Sequence, residues 1–382
     1  MPVSLGRIEM KRPFMIAIIL GGISLLACVM VIMSNSYDDS SSCLKAERAN
    51  KQTDYKQDSY LSITYTLPDP KAESGRKMVF YTYDLNNSAL KEQAEIPFES
   101  QYALGCVDIK RGKVYYSAED KEHGKFGSDV NGVDHLFEYD IKAKSALVIE
   151  KENRAYNDIV LIDDKLLVTT IPLHAITTGM FDLNSRKFIF KSPKCRNEDG
   201  YIDYKYDTRP VKLNYNPKYK AFLNVCAVED DLYDIGFRTG KKGIIYTINY
   251  INKDLDIITS IPFKIKDFNY EISAICQTSK NHALMLERVF SDDGSSTQLK
   301  YYDVDLSTKE CKETESPFPD LVNVKNYFTV DGGKTFFIIG GKSGGEQGLL
   351  KYDSQSKKYE TILKDTDTSH VVNCCCVSSA GV

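Results

Sequence analysis

Tryptophan is absent from all 382 residues, which excludes repeat signatures that mark each unit with Trp-Asp or close a turn on Trp. Histidine is scarce. The five copies (His123, His135, His174, His282, His370) have no zinc-type spacing. Ten cysteines occur without a single Cys-x-x-Cys pair, which removes the usual thiolate signatures for zinc or disulfide exchange. There is no basic run. With a formal net charge of −4, the chain lacks the electrostatic footprint of a nucleic-acid binder, and no nucleic-acid partner is expected.

Charge is unevenly placed. Before residue 34 only Arg7, Lys11 and Arg12 stand against Glu9, and 46 basic and 52 acidic groups lie beyond it. Phe14 to Met33 is one long uncharged stretch, enough helix to cross the hydrocarbon core of a bilayer. The bases precede it and Asp38 and Asp39 come after it, so the positive-inside rule places 1–13 in the cytoplasm and the rest outside. Three readings fit. An uncleaved signal anchor at 14–33 is preferred because the apolar run has full spanning length. A bacterial lipoprotein signal is the second, because Leu25-Leu26-Ala27-Cys28 resembles a lipobox and Cys28 would be lipidated, although Val29 to Met33 continue the apolar run. An ordinary cleaved signal is the third. Each leads to an extracytoplasmic domain, and the first to a single-pass protein of a bacterial cytoplasmic membrane.

Residues 34–59 are rich in Ser, Asp, Lys and Gln and read as a flexible stalk. From Tyr60 onward the pattern has period two, with Tyr 25 and Phe 17 supplying strand formers and no sustained helical period. One phrase recurs. A hydrophobic stretch, Tyr-Asp or Phe-Asp, then a polar turn occurs at Tyr83-Asp84, Tyr139-Asp140, Phe181-Asp182, Tyr302-Asp303 and Tyr352-Asp353, with a degenerate copy at Ile248-Asn249. The spacing, about 40–65 residues per unit, is that of β-propeller blades.

Each unit parses as four strands. The first lacks its opening strand, and Val371 to Val377 is left over at the other end. Letting that C-terminal strand complete the first unit closes a ring and protects two sheet edges. The expected fold is therefore all-β: a propeller of six four-stranded blades over 60–382, or seven if the long fourth unit contains two.

The Tyr-Asp phrases and the Asp331-Gly332-Gly333-Lys334 turn give residues 60–382 a resemblance to bacterial envelope β-propellers of the TolB-like, six- to seven-bladed type. That resemblance implies architecture and no activity.

Chemical motifs are weak. Gly333-Lys334-Thr335 and Gly341-Lys342-Ser343 lack the leading glycine of a phosphate loop, since Phe328 and Phe336 occupy those positions. Cys374-Cys375-Cys376 places only Cys374 and Cys376 on one side of a strand, and Cys106, Cys276 and Cys376 read as small apolar fillers of innermost strands. Asp365-Thr366-Asp367-Thr368-Ser369 and Asp129-Val130-Asn131-Gly132-Val133-Asp134 begin like calcium loops but lack the later ligands. No catalytic, cofactor or metal residue is assigned.

The expected role is a membrane-tethered binding or scaffolding module at the cell envelope, with its ligand, an envelope protein or glycan, at one mouth of the central channel. A propeller hydrolase or lyase acting on envelope glycans or peptides is the alternative, and the outer domain of a partner-dependent sensor is a third. Asp, Glu, His or Arg with shifted pKa values gathered at the mouth would favour the enzyme. A mouth without such a cluster would favour binding.

Overall fold

The computed structural model describes residues 59–72, 74–98, 103–119, 134–150, 155–171, 177–189, 211–229, 245–264, 270–291 and 296–378. The apolar segment 14–33, Cys28, His123, His174 and Asp129 to Val133 lie outside them. The described elements are all strands. Blade 1 contains β1 (Ser59–Pro68), β2 (Arg76–Asp84) and β3 (Leu90–Pro97). Blade 2 contains β4 (Gly105–Asp108), β5 (Lys113–Glu119), β6 (Asp134–Asp140) and β7 (Ser145–Glu150). Blade 3 contains β8 (Ala155–Ile162), β9 (Lys165–Ile171), β10 (Thr177–Asp182) and β11 (Lys187–Ile189). Blade 4 contains β12 (Ala221–Glu229), β13 (Ile245–Asn252) and β14 (Ile257–Lys264). Blade 5 contains β15 (Tyr270–Gln277), β16 (His282–Phe290), β17 (Thr297–Asp305) and β18 (Glu310–Thr314). Blade 6 contains β19 (Leu321–Thr329), β20 (Thr335–Lys342), β21 (Gln347–Asp353) and β22 (Lys358–Lys364), and β23 (His370–Ser378) is the last described strand.

The six sheets form a propeller ring, and β23 closes it. It pairs antiparallel with β1, from Ser59 opposite Ser378 to Thr66 opposite His370, giving the sheet order β23-β1-β2-β3. The expected closure by Val371 to Val377 is therefore present. Among the described residues the fourth unit forms one blade. Its sheet has three paired strands, while residues 211–216 occupy the innermost place with one isolated bridge, Asn216 to Ala221.

Inner strands are buried on both faces because each blade is sandwiched between two others. This explains apolar runs such as Leu284-Met285-Leu286 and Phe336-Phe337-Ile338-Ile339, where alternation breaks down. Within blade 1 the faces separate by parity: Leu61, Ile63, Cys374 and Cys376 pack toward blade 6, whereas Tyr60, Cys375 and Val377 pack toward blades 2 and 3. Between blades 5 and 6, the Phe318 ring lies edge-on to Tyr301, Tyr327, Phe336 and Tyr352 at 5.1–5.8 Å. Such aromatic pairs contribute about 0.5–1.5 kcal/mol each beyond area burial.

The recurring aspartate has a local cause. At the end of each third strand its carboxylate accepts amide hydrogens of the following turn: Asn86 for Asp84 (2.8 Å), Ala143 for Asp140 (2.7 Å), Ser185 for Asp182 (2.7 Å) and Ser356 for Asp353 (2.6 Å). Four residues on, Ser88, Lys144, Arg186 and Lys357 take positive φ, which lets the chain return as the fourth strand. In blade 5 the turn is capped by Asp305, not Asp303, and in blade 4 by Asn252, not Asn249. The phrases at Asp303 and Asn249 thus lie two and three residues before the capping residue, because in these two units Val304-Asp305 and Ile251-Asn252 repeat the same apolar-then-Asp or Asn pattern.

Candidate site at the mouth of the ring axis

Four innermost strands carry a β-bulge in their first half or at their middle. The extra residues are Asn157 in β8, Ser273 in β15, Lys325 in β19 and Val372 in β23. A bulge inserts one residue, shifts the side-chain phase and re-aims the side chains after it. In all four strands the residue after the bulge is buried, and in three of them it is polar: Asp158, Asn326 and Asn373.

These residues close the axis. Asn373 Nδ2 donates to Asp158 Oδ1 at 3.1 Å, and the Leu213 amide donates to Asp158 Oδ2 at 2.7 Å, so one carboxylate joins blades 1, 3 and 4. Asn214 and Asn326 exchange side-chain hydrogen bonds at 3.0 and 3.2 Å. Asn214 Nδ2 also reaches the Ile275 and Tyr327 carbonyls at 3.0 and 3.1 Å. Two residues on, Asn216 repeats the move with the carbonyls of Gln277 and Thr329, both at 3.3 Å. Residues 211–216 thus replace a β-ladder with asparagine amides, which satisfy central carbonyls of blades 5 and 6. The floor is polar and hydrogen-bonded. It links blades that are not neighbours in the ring.

Lysines stand on the side of the floor where the inner strands begin. Lys325 is exposed although it lies within an innermost strand, and it forms no ion pair with the described residues. Lys212 Nζ donates to the Asn157 carbonyl at 2.9 Å and lies 3.9 Å from Asp158 Oδ1. On the same side, at the junction of blades 6 and 1, Arg76 donates to Thr66 Oγ1 (2.8 Å) and the Thr368 carbonyl (3.2 Å), with His370 Nε2 at 3.2 Å. Burial, then Arg76 and Lys325, lower the pKa of His370 below its usual 6.5, so the ring is neutral and accepts from Arg76. Burial raises the Asp365 pKa against the opposing effects of the Val371 amide, 2.8 Å from Oδ1, and of Lys325 and His370. The strand ends joined by the long connections 120–133, 190–210 and 230–244 also lie on this face. The opposite face is made of short turns.

The motifs weighed from the sequence fall elsewhere. Asp331 caps the hairpin containing Gly332 and Gly333, with the Lys334 and Thr335 amides at 3.1 and 2.9 Å from its Oδ1. Gly341-Lys342-Ser343 ends β20 and opens the turn to β21, with no helix after it to receive a phosphate. Residues 365–369 are the turn leading into β23, closed by a Thr366 amide bond of 2.7 Å to the Ser369 carbonyl. Among the described residues no three His, Cys, Asp or Glu are grouped to hold a metal ion. Cys106, Cys276 and Cys376 are buried in innermost strands as expected. His282 is remote from the mouth and lies 3.1 Å from Asp303 on blade 5.

Lys212, Lys325, Arg76, Asp158 and the asparagines were not singled out from the sequence. The alternation Leu213-Asn214-Tyr215-Asn216, polar on one face of an extended segment, was the available signal.

The described chain is a six-bladed β-propeller closed by its own C-terminal strand. Similar solved structures include TolB from Acinetobacter baumannii, at 13% identity and a TM-score of 0.45 over 82% of this chain and 66% of that one. They also include the β-propeller domain of the Trilobed protease from Pyrococcus furiosus (14%, 0.42, 81% and 86%) and a putative 6-phosphogluconolactonase from Bacteroides fragilis (9%, 0.43, 86% and 100%). This chain spans slightly less than two thirds of the TolB chain. The likeness is one of fold. No known family profile matches the sequence, and no curated protein matches it.

Proposed function

We propose that this propeller is a binding module that takes an acidic group of a partner at the axis mouth, and that the chain is membrane-tethered through 14–33 with the propeller outside the cytoplasm. The observation that carries the binding reading is Lys325: a bulge residue of an innermost strand, exposed above a floor closed by Asp158, Asn373, Asn214 and Asn326. In a mildly acidic protein, Lys325, exposed and without an ion pair among the described residues, gives this face a local positive field. A carboxylate of an envelope protein or of an acidic glycan suits that field. The floor supports a mouth site over a through-channel.

A specific observation favours the enzyme alternative. His370, Asp365 and Arg76 lie together on the mouth side with shifted pKa values, which is the arrangement a hydrolase or lyase would need. Binding is preferred because Arg76 and His370 fasten the ends of β1, β2 and β23, and the Asp365 Oδ1 atom is engaged by the Val371 amide.

Calorimetric titration of the full chain in detergent with an acidic peptide and, separately, with an oligogalacturonide tests the reading. Saturable binding lost in Lys325→Gln, without turnover of the probe, is the expected result. Binding unaffected by Lys325→Gln and Lys212→Gln would reject it, and cleavage of either probe would select the enzyme. For tethering, cysteine reporters after residue 40 should be labelled on intact cells and reporters before residue 12 spared. A lipid on Cys28 with loss of 1–27 would replace the anchor with a lipoprotein.

A further inference from the structure

The closing strand meets blade 2 through a pair of thiols. Cys375 of β23 and Cys106 of β4 are both buried and unbridged, with their sulfurs 3.6 Å apart. They are 269 residues apart in sequence. Their position is fixed by the seam around them. Three alternate residues of β1 point at β4: the Tyr60 hydroxyl donates to the Val107 carbonyl at 2.8 Å, the Val107 amide donates to Ser62 Oγ at 2.9 Å, and Thr64 Oγ1 donates to the Gly105 carbonyl at 3.1 Å. Gly105 is itself pinned, since a Cβ there would come within 2.5 Å of the Phe80 ring. On the other side, β1 holds β23 in register, with Ser62 opposite Cys375. The two sulfurs are therefore brought together by fixed strands on both sides. Parity explains why this cysteine and not its neighbours: Cys374 and Cys376 pack on the other face of β23, among residues of blades 5 and 6, and the sulfur contact of Cys106 is with Cys375.

We propose that Cys106 and Cys375 are a modification site, joined by a disulfide that fastens the C-terminal strand across the first blade boundary. The oxidant is a small-molecule disulfide of the glutathione class. One cysteine thiolate attacks it and expels one small thiol, and the second thiolate attacks the mixed disulfide at the protein sulfur and expels the other. Two protein thiols lose two electrons and two protons, and the small disulfide becomes two thiols. The step belongs to folding, as β23 pairs with β1 and brings Cys375 to Cys106 while solvent still reaches both thiols. Once docked, Cys375 is buried against Cys106, and that contact together with burial raises its pKa and keeps it protonated and unreactive.

The full chain, refolded in detergent with reduced and oxidised glutathione, should give one linked peptide pair containing Cys106 and Cys375 on non-reducing mapping. The pair should be missing from Cys106→Ser and Cys375→Ser and retained in Cys374→Ser. Oxidised protein should unfold at a higher temperature than dithiothreitol-treated protein, and this difference should vanish in Cys375→Ser. If the serine variants fail to fold, Cys375→Val and Cys106→Ala replace them. A folded protein with both thiols still free after oxidative refolding, or a link to any other cysteine, would overturn the proposal.

Discussion

Replacing Asn214 with alanine removes the amide that holds residues 211–216 against two blades. The two Nδ2 hydrogens are shared among three acceptors, the Ile275 and Tyr327 carbonyls and Asn326 Oδ1, and Oδ1 accepts from Asn326, all in a buried setting. A net hydrogen bond contributes about 0.5–1.5 kcal/mol, and a buried acceptor left without its donor costs about 1–3 kcal/mol. Non-additivity keeps the sum below a simple total, so the expected loss is about 3–5 kcal/mol. That is a large share of a typical domain stability of about 5–15 kcal/mol. Urea unfolding should show a lower midpoint with an unchanged slope. Asn326→Ala should cost less, because it leaves the Ile275 and Tyr327 contacts of Asn214 in place. The double variant should fall short of additivity by about 0.5–3 kcal/mol, as residues in one network do. A loss below about 1 kcal/mol for Asn214→Ala, or strict additivity of the pair, would refute the view that these amides stand in for a β-ladder.

Lys325→Gln should leave stability within about 0.5 kcal/mol of the parent, as surface substitutions do, while weakening binding of an acidic probe; parent affinity should fall with added salt and the variant's should fall less. His370 links stability to pH. Its folded pKa is below 6.5, so as pH drops below that value the unfolded chain takes up a proton that the folded chain does not, and stability decreases until the depressed pKa is passed. Asp365, raised, acts in the opposite sense, contributing stability below 3.8 that is lost as pH rises through its folded value. Thermal unfolding of parent and His370→Gln between pH 7.5 and 5 should show the acid-side loss only in the parent. Gly348→Ala should be strongly destabilising, since the backbone has φ 141° and a Cβ would lie 2.1 Å from the Leu363 carbonyl oxygen; a melting temperature equal to the parent's would count against the register of β21 and β22.

Architecture was legible in the sequence because its causes are local or additive. Asp at the end of a third strand, a polar turn and a positive-φ residue recur wherever a blade turns, and a missing first strand matched a surplus last one. The mouth was not legible, for a physical reason. Lys325 and Asn157 line it because bulges shift β19 and β8 by one residue, and a bulge depends on the pairing register between strands, not on the residue itself. Asn214 and Asn216 look like turn residues in isolation. Their partners lie 61 and 112–113 positions away, brought near only by the closed ring. The thiol pair was hidden likewise: a run of three cysteines discloses its parity but not which strand will face each sulfur.

Everything at the mouth depends on the last strand completing the first blade. Amide hydrogen exchange read out by mass spectrometry tests that most directly, because β23 contributes Asn373 to the floor and pairs with β1 along its length. The amides of Val371 to Val377 should exchange only with global unfolding, at the same free energy as those of Leu61 to Thr66, and should lose protection together with them in urea. Exchange of the C-terminal amides within seconds, while β1 stays protected, would contradict the closed ring and the site built on its axis.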